Sequence, residues 1–277
     1  MNLAFKIVPV VFVLPALLVL CVGCSTKTEA KTEGLAEADF KKLHELRGDK
    51  APAPRGEMID LDGTKAYLSL PAGASAKAPL PGVVVIHEWW GLNQHIKHWT
   101  DRLADEGYAA LAVDLYGGNV ADNRNDAMKY MRSVDREAAL ATCKRAERFL
   151  REDPRTRAPK TASIGWCFGG AQSLRMALNI PTLDAAVIYY GHLVDDPEQL
   201  KSIQAAVLGV FGNQDRSINP AAVSRFEKGL QEAGRSYRIL RYDANHAFAN
   251  PSSARYAQEA ATDAWKQVRE FLHTELR

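Results

Sequence analysis

The run Gly82-Val83-Val84-Val85-Ile86-His87 determines the fold class of this 277-residue chain. Its β-branched residues follow one another without polar alternation, which is typical of a parallel strand covered on both faces. Comparable apolar runs recur at residues 109–113, 161–164, 185–190, 206–211 and 237–242. Helical patterns lie between nearly all of them, at residues 94–106, 137–152, 171–179, 220–233 and 254–272. Strands that alternate with helices predict an α/β fold with a mostly parallel central sheet and helices on both faces.

The segments around this sheet complete one domain, which we place at residues 56–277. Residues 58–61 and 65–70 flank Asp62-Gly63, a residue pair that favours a two-residue β-hairpin turn. The chain carries 35 basic and 33 acidic side chains, so its formal charge is +2. Because no stretch of the domain is dominated by one sign of charge, we expect no nucleic-acid partner. We expect the protein to be a monomer.

Residues 1–23 have the layout of a secretory signal peptide. A short positive start precedes an apolar run at residues 7–20, which contains two prolines and is too short to favour a membrane-spanning helix. The segment resembles a bacterial lipoprotein signal in which Cys24 is lipidated, although Cys21 stands where such signals usually carry leucine. We therefore expect an exported lipoprotein in the periplasm or at the outer membrane, anchored to the membrane through Cys24. Secretion with an unmodified Cys24 is the alternative.

Residues 24–55 have the pattern of a tether with one short helix. Apolar residues at positions 36, 40, 43 and 46 predict an amphipathic helix over residues 35–47. Ala51-Pro52-Ala53-Pro54 then forms a stiff linker. The sequence leaves open whether the helix docks on the domain.

Chemistry in a parallel sheet gathers in the loops that follow the carboxyl ends of its strands. One such end leads into Gly165-Trp166-Cys167-Phe168-Gly169, which has the spacing of a nucleophile elbow with a thiol at its centre. The start of a helix at Cys167 would stabilise a thiolate. The alternative for Cys167 is a buried structural cysteine between glycines that serve packing.

Two other strand ends supply an acid and a base. Asp215 and then His246 follow the nucleophile along the chain, which is the order found in α/β-hydrolases. His246 would take the thiol proton, and Asp215 would hold the imidazole in the working tautomer. Asp243 is a competing acid. We expect Asp114 to anchor a loop at the end of its strand.

The remaining cysteine and histidine residues favour structural roles. Cys143 lies on the apolar face of a helical pattern, so we expect a core residue without a disulfide bond to Cys167. His95 and His98 lack a third ligand nearby, which argues against a metal site and favours a solvated helix start. We expect no metal and no cofactor.

The elbow at 165–170, the stretch His87-Glu88-Trp89-Trp90-Gly91, Asp215 and the triplet His246-Ala247-Phe248 together resemble the motifs of dienelactone hydrolases. This family is the cysteine-nucleophile branch of the α/β-hydrolase fold, and the resemblance covers about residues 57–275. It implies a triad of Cys167, Asp215 and His246.

The resemblance also implies roles for the residues around the triad. Glu88 would interact with the resting thiol and assist its ionisation when substrate binds. The backbone N–H groups of Phe168 and Trp89 would form the oxyanion hole. Trp90 would supply an apolar wall for the substrate, and we expect His192, which also follows a strand end, to line the same cleft.

Ala247 and Asn250 depart from the family pattern. Family members that act on the chlorocatechol-derived lactone carry serine directly after the histidine and, four residues after it, an arginine that binds the substrate carboxylate. Without this guanidinium, the sequence favours a hydrolase of small, largely neutral esters or lactones. The alternatives are an envelope binding lipoprotein without turnover and a serine peptidase, which would carry serine at position 167.

Overall fold

The computed structural model describes residues 37–45, 52–75 and 77–277. The predicted signal peptide and Cys24 lie outside these residues. The strands are β1 (Glu57–Leu61), β2 (Thr64–Ser69), β3 (Gly82–Ile86), β4 (Ala109–Val113), β5 (Thr161–Trp166), β6 (Ala185–Tyr189), β7 (Ala206–Gly212) and β8 (Tyr237–Tyr242). The helices are α1 (Glu37–Glu45), α2 (Gln94–Asp105), α3 (Arg124–Ser133), α4 (Arg136–Glu152), α5 (Phe168–Asn179), α6 (Pro197–Leu200), α7 (Pro220–Glu232) and α8 (Gln258–Leu276). Within the described ranges, no helix is both long enough and apolar enough to cross a membrane.

The strands form one sheet in the order β1-β2-β4-β3-β5-β6-β7-β8. The six strands β4, β3, β5, β6, β7 and β8, in their order across the sheet, are all parallel to their neighbours. Strand β2 pairs antiparallel with both β1 and β4. The predicted fold, a mostly parallel sheet with helices, is therefore confirmed. The hairpin is confirmed as well, because Leu61 pairs with Thr64 and the two turn residues, Asp62 and Gly63, have φ angles of 50° and 82°.

Side-chain alternation along the buried strands creates two separate cores. On β3, Val83 and Val85 face a core shared with α2 and α8, whereas Val84 and Ile86 face a core shared with α4, α5 and α7. Burial of both faces explains why β3 reads as an uninterrupted apolar run. Cys143 of α4 is buried in the second core and is a free thiol, as expected.

Four helices differ from the sequence prediction by more than two residues: α8 begins and ends four residues later than expected, α6 was not predicted, and α5 and α3 differ for identifiable reasons. Helix α5 begins at Phe168, three residues earlier than expected, because Gly169 and Gly170 belong to its first turn. Glycine is a poor helix former, so its presence concealed the true start of the helix. Helix α3 was not predicted as a separate element, since Ala127 is its only buried residue and an exposed polar helix has no apolar stripe.

Helix α1 docks on the domain, which answers the question that the sequence left open. Glu37 accepts a hydrogen bond of 2.8 Å from the Arg102 guanidinium, and both side chains are almost completely buried. The guanidinium also lies over the rings of Phe40, Trp99 and Trp265, with distances of 4.3–5.0 Å to the ring centroids. These contacts combine a buried ion pair with cation–π attraction.

The linker after α1 also contacts the domain. The carbonyl of Pro52 lies 3.1 Å from Nε2 of His98, and His98 is buried. The expectation of a solvated His98 is therefore wrong, because the linker covers this part of α2.

Removing the Glu37 carboxylate should destabilise the domain. In Glu37→Ala, the Arg102 charge stays buried without its carboxylate partner, and we expect the free energy of unfolding to fall by about 3 kcal/mol. Asp39→Ala is the matched control, because Asp39 lies in the same helical turn but forms an exposed pair with Lys42, and such pairs contribute less than about 1 kcal/mol. Urea unfolding followed by tryptophan fluorescence measures both changes. Equal losses in the two variants would show that the α1 contact does not stabilise the folded state.

Candidate active site

Cys167 lies at a sharp turn between β5 and α5. Its backbone has φ 55° and ψ −114°, a left-handed conformation that is unfavourable for residues other than glycine. The turn is tight enough that a Cβ at Gly165 would overlap the Gly169 backbone, and a Cβ at Gly169 would overlap the carbonyl of Ile86. Small residues on both sides of Cys167 are therefore a steric requirement, as in a nucleophile elbow.

His246 and Asp215 form a hydrogen-bonded pair beside this turn. Nδ1 of His246 lies 2.6 Å from Oδ2 of Asp215. The other carboxylate oxygen of Asp215 accepts hydrogen bonds from the backbone N–H groups of Ser217 and Ile218, at 2.7 and 3.0 Å. Although burial acts to raise the pKa of Asp215, these hydrogen bonds and the one to His246 hold it below its ordinary value. An ionised Asp215 accepts a hydrogen bond from the Nδ1–H group, which leaves Nε2 of the same ring available to a second partner.

Asp243, the competing acid, lies away from this pair. Its side chain is exposed and accepts a hydrogen bond of 2.7 Å from Gln214. Asp114 anchors its loop as expected, since its carboxylate accepts hydrogen bonds from the backbone N–H groups of Tyr116 and Gly118.

Cys167 interacts electrostatically with the His246 imidazole. Burial alone would lower the pKa of His246, but hydrogen bonds to Asp215 and Cys167, together with the charges of both groups, raise it to about 10. A protonated His246 would stabilise a thiolate at Cys167. The geometry thus brings the three residues of the predicted triad together.

Glu88 is buried next to this group, two residues after the end of β3. Its Oε2 accepts a hydrogen bond of 2.6 Å from the side-chain amide of Asn250. Burial raises the pKa of Glu88 to about 7, against the lowering effects of the His246 charge and the Asn250 hydrogen bond. No arginine forms an ion pair with Glu88 within residues 37–45, 52–75 and 77–277. Glu88 is therefore a buried carboxyl group with a neutral partner.

Sequence reasoning missed this role of Asn250. Position 250 was considered only for the missing arginine, and a single asparagine in a loop carries no signal for a contact with a residue 162 positions earlier.

Tyr190 was missed as well, although it directly follows β6. Its ring centroid lies 5.0 Å from that of His246, and its φ of 36° is again left-handed.

Aromatic side chains surround the site. The rings of Trp89 and Trp90 are partly exposed, and their centroids lie 5.0 Å apart. Phe168, also partly exposed, packs against Tyr116 at 5.7 Å. His192 is exposed and lines a cavity of about 260 Å³ between the loops that follow β6 and β7, but Cys167 is not part of its lining. Neither tryptophan lines this cavity, and the role of His192 stays a prediction.

In the part of the chain that the structure describes, no group of three or more His, Cys, Asp or Glu side chains could hold a metal ion. The chemistry available at this site is that of a thiol, an imidazole and two carboxyl groups. These are the groups that nucleophilic and general acid–base catalysis require.

Comparisons with known proteins show which family the chain resembles. A sequence model of the dienelactone hydrolase family matches residues 64–276. A Saccharolobus solfataricus protein named "Putative carboxymethylenebutenolidase" is 30% identical over 257 residues, which cover 77% of this chain and 95% of the relative. "Protein usf" from Aquifex pyrophilus is 32% identical over 230 residues, which cover 78% of this chain and 97% of that relative. The crystal structure of a "Putative Dienelactone Hydrolase" from Klebsiella pneumoniae has a TM-score of 0.73 and 28% identity, and covers 80% of this chain and 99% of its own.

The family match spans the chain from β2 to the end of α8 and includes every element that carries a residue of the site. The eight-stranded mixed sheet of the described residues is that of the α/β-hydrolase fold. The chain belongs to the dienelactone hydrolase family, and the protein is a hydrolase of that family.

Proposed function

We propose that this hydrolase cleaves small esters or lactones with Cys167 as nucleophile, through an acyl-enzyme intermediate. The observation that carries the proposal is the position of Cys167 at the strained turn, beside a His246–Asp215 pair with an N···O distance of 2.6 Å. A nucleophile, a base and a group that orients the base, within reach of one another, are the minimum set for such catalysis.

The reaction follows from these groups. The Cys167 thiolate attacks the ester carbonyl carbon, and the carbonyl oxygen becomes an oxyanion, which the N–H groups of Phe168 and Trp89 bind. The tetrahedral intermediate collapses, the C–O bond breaks, and protonated His246 donates its proton to the departing alkoxide. His246 then accepts a proton from a water molecule that attacks the thioester, which releases the acid and restores the thiolate.

We propose that Glu88 assists the ionisation of the thiol. A carboxyl group with a pKa near 7 can exchange a proton with a neighbouring group at neutral pH. Its burial and its bond to a neutral amide support this role, because an ion pair with an arginine would have kept it permanently charged.

The same contacts indicate which esters suit the site. The Asn250 amide is already bonded to Glu88, so position 250 offers no charge to a substrate carboxylate. Trp89, Trp90 and Phe168 supply partly exposed aromatic surface near Cys167. Small, uncharged esters and lactones are therefore the proposed substrates.

Membrane anchoring through a lipidated Cys24 remains a proposal from the sequence. Two or three acyl chains, at ~0.8 kcal/mol per buried CH₂, would hold the enzyme stably at a membrane. The charged and polar residues after Cys24 would place the domain in the aqueous phase.

A panel of neutral and carboxylate-bearing chromogenic esters and lactones tests the reaction. We expect the wild-type protein to hydrolyse neutral esters at least as fast as the anionic ones, and Cys167→Ala to be inactive. His246→Ala should lose several decades of kcat/KM, and Asp215→Asn somewhat less. Iodoacetamide should alkylate Cys167 and abolish activity while it spares Cys143, because burial raises the pKa of the Cys143 thiol to about 12. Full activity in Cys167→Ala would refute the proposal.

The titration of Glu88 should be visible in the stability of the protein. Burial shifts its pKa from 4.5 to about 7 in the folded state, so the folded protein binds the proton more tightly than the unfolded chain does. Stability is therefore lost as the pH rises from 4.5 through 7. The difference in unfolding free energy between Glu88→Gln and wild type should therefore shift by about 3 kcal/mol in favour of the variant as the pH passes from below this range to above it. Urea unfolding at several pH values measures this, and a difference that is independent of pH would contradict it.

Mass spectrometry of the amino-terminal peptide from the membrane fraction tests the anchor. We expect a peptide that begins at Cys24 and carries acyl chains, and Cys24→Ala should release the protein from the membrane. An unmodified Cys24, or cleavage at another residue, would overturn this proposal.

A further inference from the structure

His87 is buried without any exposed surface between β3 and Glu88, and the proposed reaction does not use it. Its ring makes a hydrogen bond at each nitrogen. Nδ1 lies 2.6 Å from the carbonyl oxygen of Glu88, and Nε2 accepts a hydrogen bond of 3.2 Å from the backbone N–H of Leu115. Because a backbone N–H can only donate, Nε2 carries no proton. His87 is therefore the neutral tautomer with its proton on Nδ1, and that proton is donated to Glu88.

The acceptor of this bond is the key feature. The carbonyl of Glu88 and the N–H of Trp89 belong to one peptide unit, and the described residues contain no cis peptide bond. In a trans peptide the N–H points away from the C=O, so the bond from His87, which is shorter than the 3.3 Å bond that the same carbonyl accepts from the Gly91 N–H, helps to set the direction of the Trp89 N–H. It also draws electron density toward the carbonyl oxygen, which strengthens the N–H as a donor.

The same ring contacts the second proposed oxyanion donor. His87 is stacked on Phe168, with ring centroids 5.8 Å apart and an interplanar angle of 23°. Tyr116 packs edge-on against His87 at 4.6 Å and lies 5.7 Å from Phe168, so the three rings contact one another. One buried side chain thus joins the loop after β3, the loop after β4 and the first residue of α5.

We infer that His87 is a positioning residue that aligns the Trp89 N–H, and through ring stacking the Phe168 backbone, to bind the oxyanion of the ester hydrolysis. The inference rests on the proposed function, because it assigns His87 to that reaction. His87 acts through the peptide that it holds and does not touch the substrate. His87 makes its hydrogen bonds to Glu88 and Leu115 and not to Cys167, His246 or Asp215.

Three substitutions distinguish the effect of the hydrogen bond to the Glu88 carbonyl from that of the hydrogen bond with the Leu115 N–H. His87→Phe keeps a stacking ring and removes both bonds. His87→Asn places an amide N–H where Nδ1 stands, so it can still donate to the Glu88 carbonyl. His87→Gln reaches the position of Nε2, so it can accept from Leu115 but no longer donates to Glu88.

We expect His87→Phe to lower kcat for a neutral aryl ester by about tenfold to a hundredfold, with KM changed by less than about threefold, as for the loss of one oxyanion donor. His87→Asn should recover most of this loss, whereas His87→Gln should not. Alkylation of Cys167 by iodoacetamide, which forms no oxyanion, should keep its wild-type rate in all three variants. Binding of a trifluoromethyl ketone, which forms a tetrahedral oxyanion adduct with the thiolate, should weaken in parallel with kcat.

The opposite results overturn the inference. If His87→Gln is more active than His87→Asn, the ring serves only to hold Leu115. Wild-type kcat and ketone affinity in His87→Phe would show that the peptide orients itself. A fall in alkylation rate equal to the fall in kcat would show that His87 supports the triad instead. Failure of the proposed function is distinguishable, because it would appear as full activity in Cys167→Ala or as a wild-type protein without turnover of any ester in the panel.

Discussion

The close approach of α5 to the ends of β3 and β6 is the constraint on which the site depends. The Gly169 backbone lies against the carbonyl of Ile86, and that of Gly170 lies against the carbonyl of Tyr189, with no space for a side chain. The turn at Cys167 can therefore take only one path, and its left-handed backbone is held by the packing of the helix on the sheet. This path presents the thiol above the sheet and leaves the first N–H groups of α5 without partners inside the helix.

The other reactive groups are arranged around this turn according to charge. His246 interacts electrostatically with the thiol of Cys167 and with two carboxyl groups, those of Asp215 and Glu88. The two carboxyl groups have different surroundings. Asp215 accepts two backbone N–H bonds and one from His246, and it stays ionised. Glu88 has a single neutral partner and a raised pKa. Two carboxyl groups close to one imidazole thus titrate in different pH ranges, which is how one site can hold a fixed charge and an exchangeable proton together.

The sequence was sufficient for the features that are set by local chemistry. The sheet, the Asp62-Gly63 turn, and the order of Cys167, Asp215 and His246 follow from apolar runs, turn residues and strand ends. What it could not supply depends on contacts between distant segments. The start of α5 was missed because the glycines needed for close packing are poor helix formers, and α3 was missed because it buries one residue. The Asn250–Glu88 bond and the cover over His98 join positions far apart in the chain, where no local pattern indicates a contact.

The three aromatic rings that contact the Arg102 guanidinium, those of Phe40, Trp99 and Trp265, affect the order in which the chain can fold during synthesis. Phe40 belongs to the first described helix and Trp265 to the last, yet both lie against the same guanidinium. A ribosome delivers Phe40 more than 200 residues before Trp265, so Arg102 and Glu37 are made long before their surroundings are complete. Long-range contacts of this kind form late, because the entropy of closing the intervening loop must be overcome first. The contact between α1 and α8 therefore forms only once the whole domain has been translated. In a chain that stops short of α8, the Arg102–Glu37 ion pair lacks the apolar contact that Trp265 supplies.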